Sequence, residues 1–321
     1  TRINPAIDEH GEINLLLFDG LTAHDENNEV VPGLAESWEL DDATNTYTFH
    51  LRDDVNWQDG EKFTADDVEF TIKAIMDPDN ESEIASNYED VTAINVIDDK
   101  TISFTLQDKN VAFLDYMTIG ILPKHLLEGK DMQADEYFHN PIGTGPYKIQ
   151  ENDDTTKVIL VKNEDYHGGD VNLDELQILF YDDDQTKLIA YENGDIDLAD
   201  LNASLLSQYK DKYADEITAY YPLGTSFISM NLKDAYLSDV NVRKAISLAI
   251  NREELVDAVL NGAGIPATSY LNNGIPGHDD SLSVYEYDPE AAKQLLADAG
   301  YGDGITISSE VRQADQAVYS A

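Results

Sequence analysis

The densest reactive chemistry in the sequence is Asp8-Glu9-His10-Gly11-Glu12, where three carboxylates and an imidazole fall within five residues. Facing inward, such a loop would hold an ammonium group through charge-assisted hydrogen bonds, or offer His10 and a carboxylate to a metal ion. Facing outward, it is a solvated turn. The seven histidines include no two at the helical spacing of a metal motif.

Catalytic motifs fare worse. Ser207-Gln208-Tyr209-Lys210 fits Ser-x-x-Lys, but neither Ser-Asp-Asn nor Lys-Thr-Gly accompanies it, and Gly-x-Ser-x-Gly and His-Glu-x-x-His are missing. Asp25, Asn27, Glu29 and Glu36 have a spacing reminiscent of a calcium loop, yet Val30 stands where the sharp turn of that loop requires glycine. Gly143-Thr144-Gly145-Pro146 suggests a phosphate loop, but no helix opening on Lys-Ser/Thr follows, so these glycines serve a tight backbone turn leading into a strand. With no cysteine, the 321 residues hold no disulfide, thiolate-zinc site or thiol nucleophile.

The charge narrows the partners. Sixty-four acidic against 20 basic residues leave a formal net charge of -44, which repels nucleic acid and bare anionic membrane. Most of these carboxylates coat a solvated surface, screened by counterions within about 10 Å. With 42% hydrophobic residues spread along its length, the chain has the means to build hydrophobic cores, and 321 residues suit about two domains. No apolar run approaches the ~18 residues of a membrane span, and any export signal is expected to have been removed.

Elements that would position these residues follow from periodicity. Tyr47, Phe49 and Leu51 alternate with polar neighbours over 46–51, and Ile102, Phe104 and Leu106 do so over 101–106, which predicts two half-buried strands. Thr64 and Asp67 form a capping-box pattern ahead of Val68, Ile72 and Ile75, predicting a helix over 65–76. Residues 13–18 read as a loop entering a helix, 157–162 and 175–181 as strands, and Asp184 as the cap of a helix ending near Gly194. Helices are expected from Val242 to Ile250, from the Asn251 cap to Leu260 with Gly262 ending it, and from Asp288-Pro289 to Gly300. Ile305–Ile307 reads as a further strand. The stretch 262–280, rich in Gly, Pro and Asn, is either a boundary or a surface loop. Interleaved strands and helices make the class α/β or α+β.

Three blocks then carry a resemblance: Val31-Pro32-Gly33-Leu34-Ala35-Glu36-Ser37-Trp38, Tyr47-Thr48-Phe49-His50-Leu51-Arg52-Asp53, and Asp59-Gly60-Glu61-Lys62-Phe63-Thr64-Ala65-Asp66-Asp67. It continues at Asn140-Pro141-Ile142-Gly143-Thr144-Gly145-Pro146-Tyr147, Asn163-Glu164-Asp165-Tyr166, Val242-Arg243-Lys244-Ala245, and Asp288-Pro289-Glu290-Ala291-Ala292-Lys293. In this order the blocks resemble the extracytoplasmic solute-binding proteins of ABC importers that capture peptides or nickel complexes. Trp38 and Phe49 within them read as packing residues.

The resemblance implies an α/β, two-lobed periplasmic-binding-protein-like fold with an extra subdomain inserted in the first lobe. Residues 1–19 and 164–260 would form that lobe, 20–163 the insertion, and 261–321 the start of a second lobe left incomplete here. It implies capture of an oligopeptide or dipeptide in the cleft for delivery to ABC permease and ATPase subunits, with nickel or a metallophore complex as the alternative cargo. No catalysis and no resident cofactor are expected. The protein would be a monomer outside the cytoplasm, periplasmic or lipid-anchored to the outer face of the membrane. The implied ligand residues are Asp8, Glu9, His10 and Gly11 before the first helix, Thr225, Ser226 and Phe227 ahead of a strand at Met230-Asn231-Leu232, and Arg312 from the second lobe. Segments 80–85 and 116–123, where nickel-chelate binders of this kind carry Arg and Trp, contain neither here.

Overall fold

The computed structural model describes residues 3–7, 11–153, 155–201, 203–218, 224–272, 275, 277–279, 281–282 and 285–309. Asp8, Glu9, His10 and Arg312 therefore lie outside the described residues. The chain divides into two compact units, Thr1–Asp182 and Asp183–Ala321.

In the first unit a single turn of helix, α1 (Asn14–Leu17), follows the N-terminal loop, and β1 (Thr22–His24) pairs antiparallel with β2 (Val30–Pro32). The central sheet contains β3 (Ala35–Asp41), β4 (Thr46–Leu51), β5 (Val91–Asp98) and β6 (Thr101–Leu106) in the order β3-β4-β6-β5, all antiparallel. Both strands expected from alternation are present with the expected bounds. Their register sets Trp38 opposite Phe49 and Tyr47 opposite Phe104, so the inward aromatics meet. Phe49 and Phe104 pack edge to face at 5.9 Å, and Phe113 lies 5.7 Å from Phe104. Such pairs add to the burial energy of the rings.

Helix α2 (Ala65–Met76) covers this core with Val68, Ile72 and Ile75, all fully buried. The capping pattern read at its start is real. Asp67 accepts the Thr64 N–H at 2.9 Å, closing one orphan donor of the first turn, and also accepts the Lys124 N–H at 2.9 Å and Trp57 Nε1–H at 3.3 Å. One carboxylate thus ties the helix start to the turn at Lys124. Burial raises the pKa of Asp67 above the usual carboxylate range, against the pull of these donors. The short helices α3 (Phe113–Tyr116) and α4 (Lys124–Leu127) lead to a second, three-stranded sheet of β7 (Tyr147–Asn152), β8 (Lys157–Lys162) and β9 (Glu175–Leu179). Strand β9 stops two residues short of the expected Tyr181. One hydrophobic cluster runs from Ile3 to Leu160, drawing on both larger sheets and on α1 to α4.

The second unit consists of α5 (Asp184–Asn193), α6 (Ala203–Tyr209), α7 (Val240–Ala249), α8 (Arg252–Leu260) and α9 (Pro289–Asp298), and its described residues include no strand. Its helix starts obey capping rules. Asp183, one residue before the expected Asp184, accepts the Thr186 N–H at 2.8 Å, Asn251 accepts that of Glu254 at 3.2 Å, and Asp288 that of Ala291 at 2.9 Å ahead of Pro289. Asn261, left-handed at φ 50°, ends α8, with Gly262 following at φ 78°. Helices α7 and α9 pack closely through Val242, Ala245 and Ala292. The strands expected at Ile305–Ile307 and Met230–Leu232 do not form: three-residue apolar patterns carry no partner with them, and pairing is what makes a strand. No helix among the described residues is long and apolar enough to cross a membrane.

Candidate functional site

Gly11 stands at the entrance to α1, where its carbonyl accepts the Asn14 N–H at 2.8 Å. A Cβ on Gly11 would lie 2.6 Å from Asn14 Nδ2, so a larger residue there would push that side chain aside. Beyond the helix, three segments distant in sequence meet on one carboxylate. Asp19 Oδ2 accepts Thr144 Oγ1–H at 3.0 Å, Asp19 Oδ1 accepts the Tyr166 hydroxyl at 3.1 Å, and Thr144 Oγ1 in turn accepts the Asp19 N–H at 3.2 Å. His167 Nε2 lies 3.8 Å from Asp19 Oδ2, its side chain only 7% exposed.

Arg52 completes the group, donating to the His167 carbonyl at 3.2 Å while holding Asp54 in a two-pronged pair at 2.9 and 2.7 Å. Burial raises the pKa of Asp19 and lowers that of His167, each disfavouring its own charge. Burial and the neighbouring Asp19 also push the Tyr166 phenol well up, which keeps it a donor. The arrangement ties the loops at Asp19, Thr144 and Tyr166 together.

The glycines of the 143–145 turn explain themselves here. A Cβ on Gly143 would stand 1.7 Å from the Leu17 carbonyl oxygen, and Gly145 donates its N–H to that same oxygen at 2.9 Å. Backbone meets backbone at this point, so side chains are excluded and the structural reading of the turn holds.

In the second unit, Thr225 and Phe227 meet a partner segment that sequence reasoning missed. Thr225 Oγ1 donates to the Tyr270 carbonyl at 3.1 Å, and Asn272 Nδ2 donates to the Gly224 carbonyl at 3.1 Å. The rings of Phe227 and Tyr270 stand 5.4 Å apart at 65°, with the residues 54% and 70% exposed. Segments 224–227 and 270–272 are thus tied by side chain to backbone bonds, and present an aromatic corner. Tyr270 sits within the Gly- and Asn-rich stretch that read only as loop, and its partner Thr225 is 45 residues away, so no local signal pointed to it. Among the described residues, no group of three or more His, Asp or Glu is placed to hold a metal ion.

Comparison with known proteins adds breadth to this geometry. Residues 29–318 match the family described as bacterial extracellular solute-binding proteins, family 5 Middle. The chain is 31% identical over 302 residues to heme-binding protein A of Haemophilus influenzae, covering 87% of this chain and 55% of the relative. It is 29% identical over 302 residues to the dipeptide-binding protein of Escherichia coli K12, covering 87% and 56%. The crystal structure of Campylobacter jejuni NikZ in complex with Ni(L-His) superposes with a TM-score of 0.77 at 35% identity, covering 93% of this chain and 61% of that one. The chain spans about half the length of the curated relatives it matches. Relatives at similar distances thus carry names for different cargoes.

Proposed function

The chain belongs to the bacterial extracellular solute-binding proteins of family 5, and from that premise we propose that the whole protein is the substrate-binding component of an ABC importer, capturing a dipeptide or oligopeptide between two lobes and handing it to permease and ATPase subunits. The observation that carries this reading is the match from residue 29 to 318, which spans both units. In it, residues 1–19 and 164–260 belong to the first lobe, 20–163 to an inserted subdomain, and 261–321 to the second lobe. Asp8, Glu9, His10, Gly11, Thr225, Ser226, Phe227 and Arg312 contribute to the ligand site, the acidic loop to a peptide amino terminus and Arg312 to a carboxylate. The protein works outside the cytoplasm as a monomer, in the periplasm or lipid-anchored, without catalysis or a resident cofactor.

The kinship to a protein solved with Ni(L-His), at 35% identity, favours a second reading in which the cargo is a nickel complex. Calorimetry on the whole protein with short peptides, and separately with nickel plus histidine, distinguishes the two. Peptide binding at micromolar or better affinity without products supports the first. Steady conversion of a peptide into products by pure protein defeats it, and binding that requires nickel installs the second.

A further inference from the structure

We propose that Phe227 and Tyr270 form the wall that receives one apolar side chain of the bound peptide, and so set a preference for aromatic or large aliphatic residues at that ligand position; this rests on the peptide reading above. The two rings are more than half exposed, at 54% and 70%, although each could bury a large apolar area. They are not loosely placed. Thr225 and Asn272 each spend a side-chain donor on the opposite segment, at 3.1 Å in both cases, which makes them positioning residues for the pair. A pre-arranged aromatic corner loses little freedom when a ligand fills it.

The angle between the rings selects the occupant. At 65° and 5.4 Å the two rings pack edge to face, giving two apolar surfaces set at an angle to each other. That shape suits a single branched or aromatic side chain, which can meet the face of one ring and the edge of the other. A flat macrocycle needs a coplanar surface, which this pair does not offer. Neither side chain is an imidazole or a carboxylate, so the pair offers a metal ion none of its usual hard or borderline ligands.

The test uses the whole protein and calorimetric titration with Ala-Ala-Ala, Phe-Ala-Ala, Ala-Phe-Ala and Ala-Ala-Phe. The parent is expected to favour one phenylalanine peptide over trialanine by about tenfold or more, the scale of burying one large apolar group. Phe227→Ala and Tyr270→Ala each reduce that preference to within roughly threefold, whereas Tyr270→Phe keeps it, as apolar contact alone requires. A parent that binds none of the peptides fails the peptide reading and this inference together. A parent that shows the preference, with both alanine variants retaining it, overturns this inference alone. Haemin binding that is lost in both variants, with peptide binding unchanged, also overturns it.

Because the 321 residues contain no cysteine, Phe227→Cys and Tyr270→Cys place a thiol at the corner, read against the parent as background. Fast labelling by a maleimide in the ligand-free protein, slowed by the favoured peptide, supports the assignment. Labelling that appears only after denaturation means that another part of the chain covers the rings, and overturns it.

Discussion

The first unit carries three sheets and one hydrophobic cluster reaching from Ile3 to Leu160, whereas the second carries helices whose buried residues, among them Leu188, Tyr209, Val242 and Val256, stand outside that cluster. The second unit also exposes Leu198 at 89% and the rings of Phe227 and Tyr270. In the first, long-range pairing has placed Phe49, Phe104 and Phe113 inside, although Leu15 and Val111 still face outward; in the second, caps and short-range helix contacts carry the order. The carboxylates also differ, since Asp19 and Asp67 of the first unit collect donors from several segments while Asp183, Asp239 and Asp288 of the second serve as local caps.

Substitutions test this contrast directly in the whole protein. Phe49→Ala, which empties a fully buried ring site in the first unit, is expected to cost about 3–5 kcal/mol by denaturant unfolding. A loss below about 1 kcal/mol there would mean that the core tolerates voids and that the contrast is overdrawn. Gly143→Ala forces a methyl into the Leu17 carbonyl and should cost about 1–3 kcal/mol, with lower soluble yield. Asp288→Ala removes one cap from the second unit, at about 1 kcal/mol, and leaves the circular dichroism of the sheets unchanged. Leu198→Ser should change stability by no more than about 0.5 kcal/mol.

Proton and salt dependence sharpen the picture further. Asp19 has a raised folded-state pKa, so its contribution is fully present below the unfolded carboxylate value and is lost as pH rises through the folded one. His167 has a lowered folded-state pKa, so its contribution is present above the unfolded imidazole value and is lost as pH falls through the folded one. Asp19→Asn should therefore gain in Tm relative to the parent as pH climbs from about 4 to 7, whereas His167→Gln should gain relative to the parent as pH drops below about 6.5. Parallel Tm profiles for parent and variants would show that neither group changes its pKa on folding. The smallest effect per residue is salt screening of the repulsion among 64 acidic groups that 20 basic ones leave mostly unpaired, which should still raise Tm from low to molar sodium chloride.

Much of the first unit was legible because its signals are local. Helix α2 announced itself through Thr64, Asp67 and the Val68, Ile72, Ile75 stripe, and β4 and β6 through uninterrupted alternation. Strands β3 and β5 gave no such signal, since register shifts at Ala35/Ser37, Val91/Ala93 and Val96/Asp98 break the period of two. The capping residues of α8 and α9 were legible for the same local reason. The Asp19 network was not, because Arg52, Thr144, Tyr166 and His167 are brought to it only by folding, across separations as large as 147 residues. The family blocks had singled out Arg52, Thr144 and Tyr166, but as separate motifs rather than as neighbours of one carboxylate.

The meeting of Asp19 with Thr144, across 125 residues, also dictates when the first unit can be completed during synthesis. The four-stranded sheet needs only residues 35–106, so its hairpins can pair while the ribosome is still adding the chain behind them. The N-terminal segment has to wait. Its anchors are Met132, Phe138 and Gly145, reached by Asn4, Ile3 and Leu17. At about 5–20 residues per second, the nascent chain would carry this unfinished start for several seconds, and closing the loop then costs roughly 4 kcal/mol of chain entropy by (3/2)RT ln n. Slowing translation between residues 106 and 145 would prolong the exposure of Leu17 and Phe18, whose burial waits for the turn at Gly143 to Gly145.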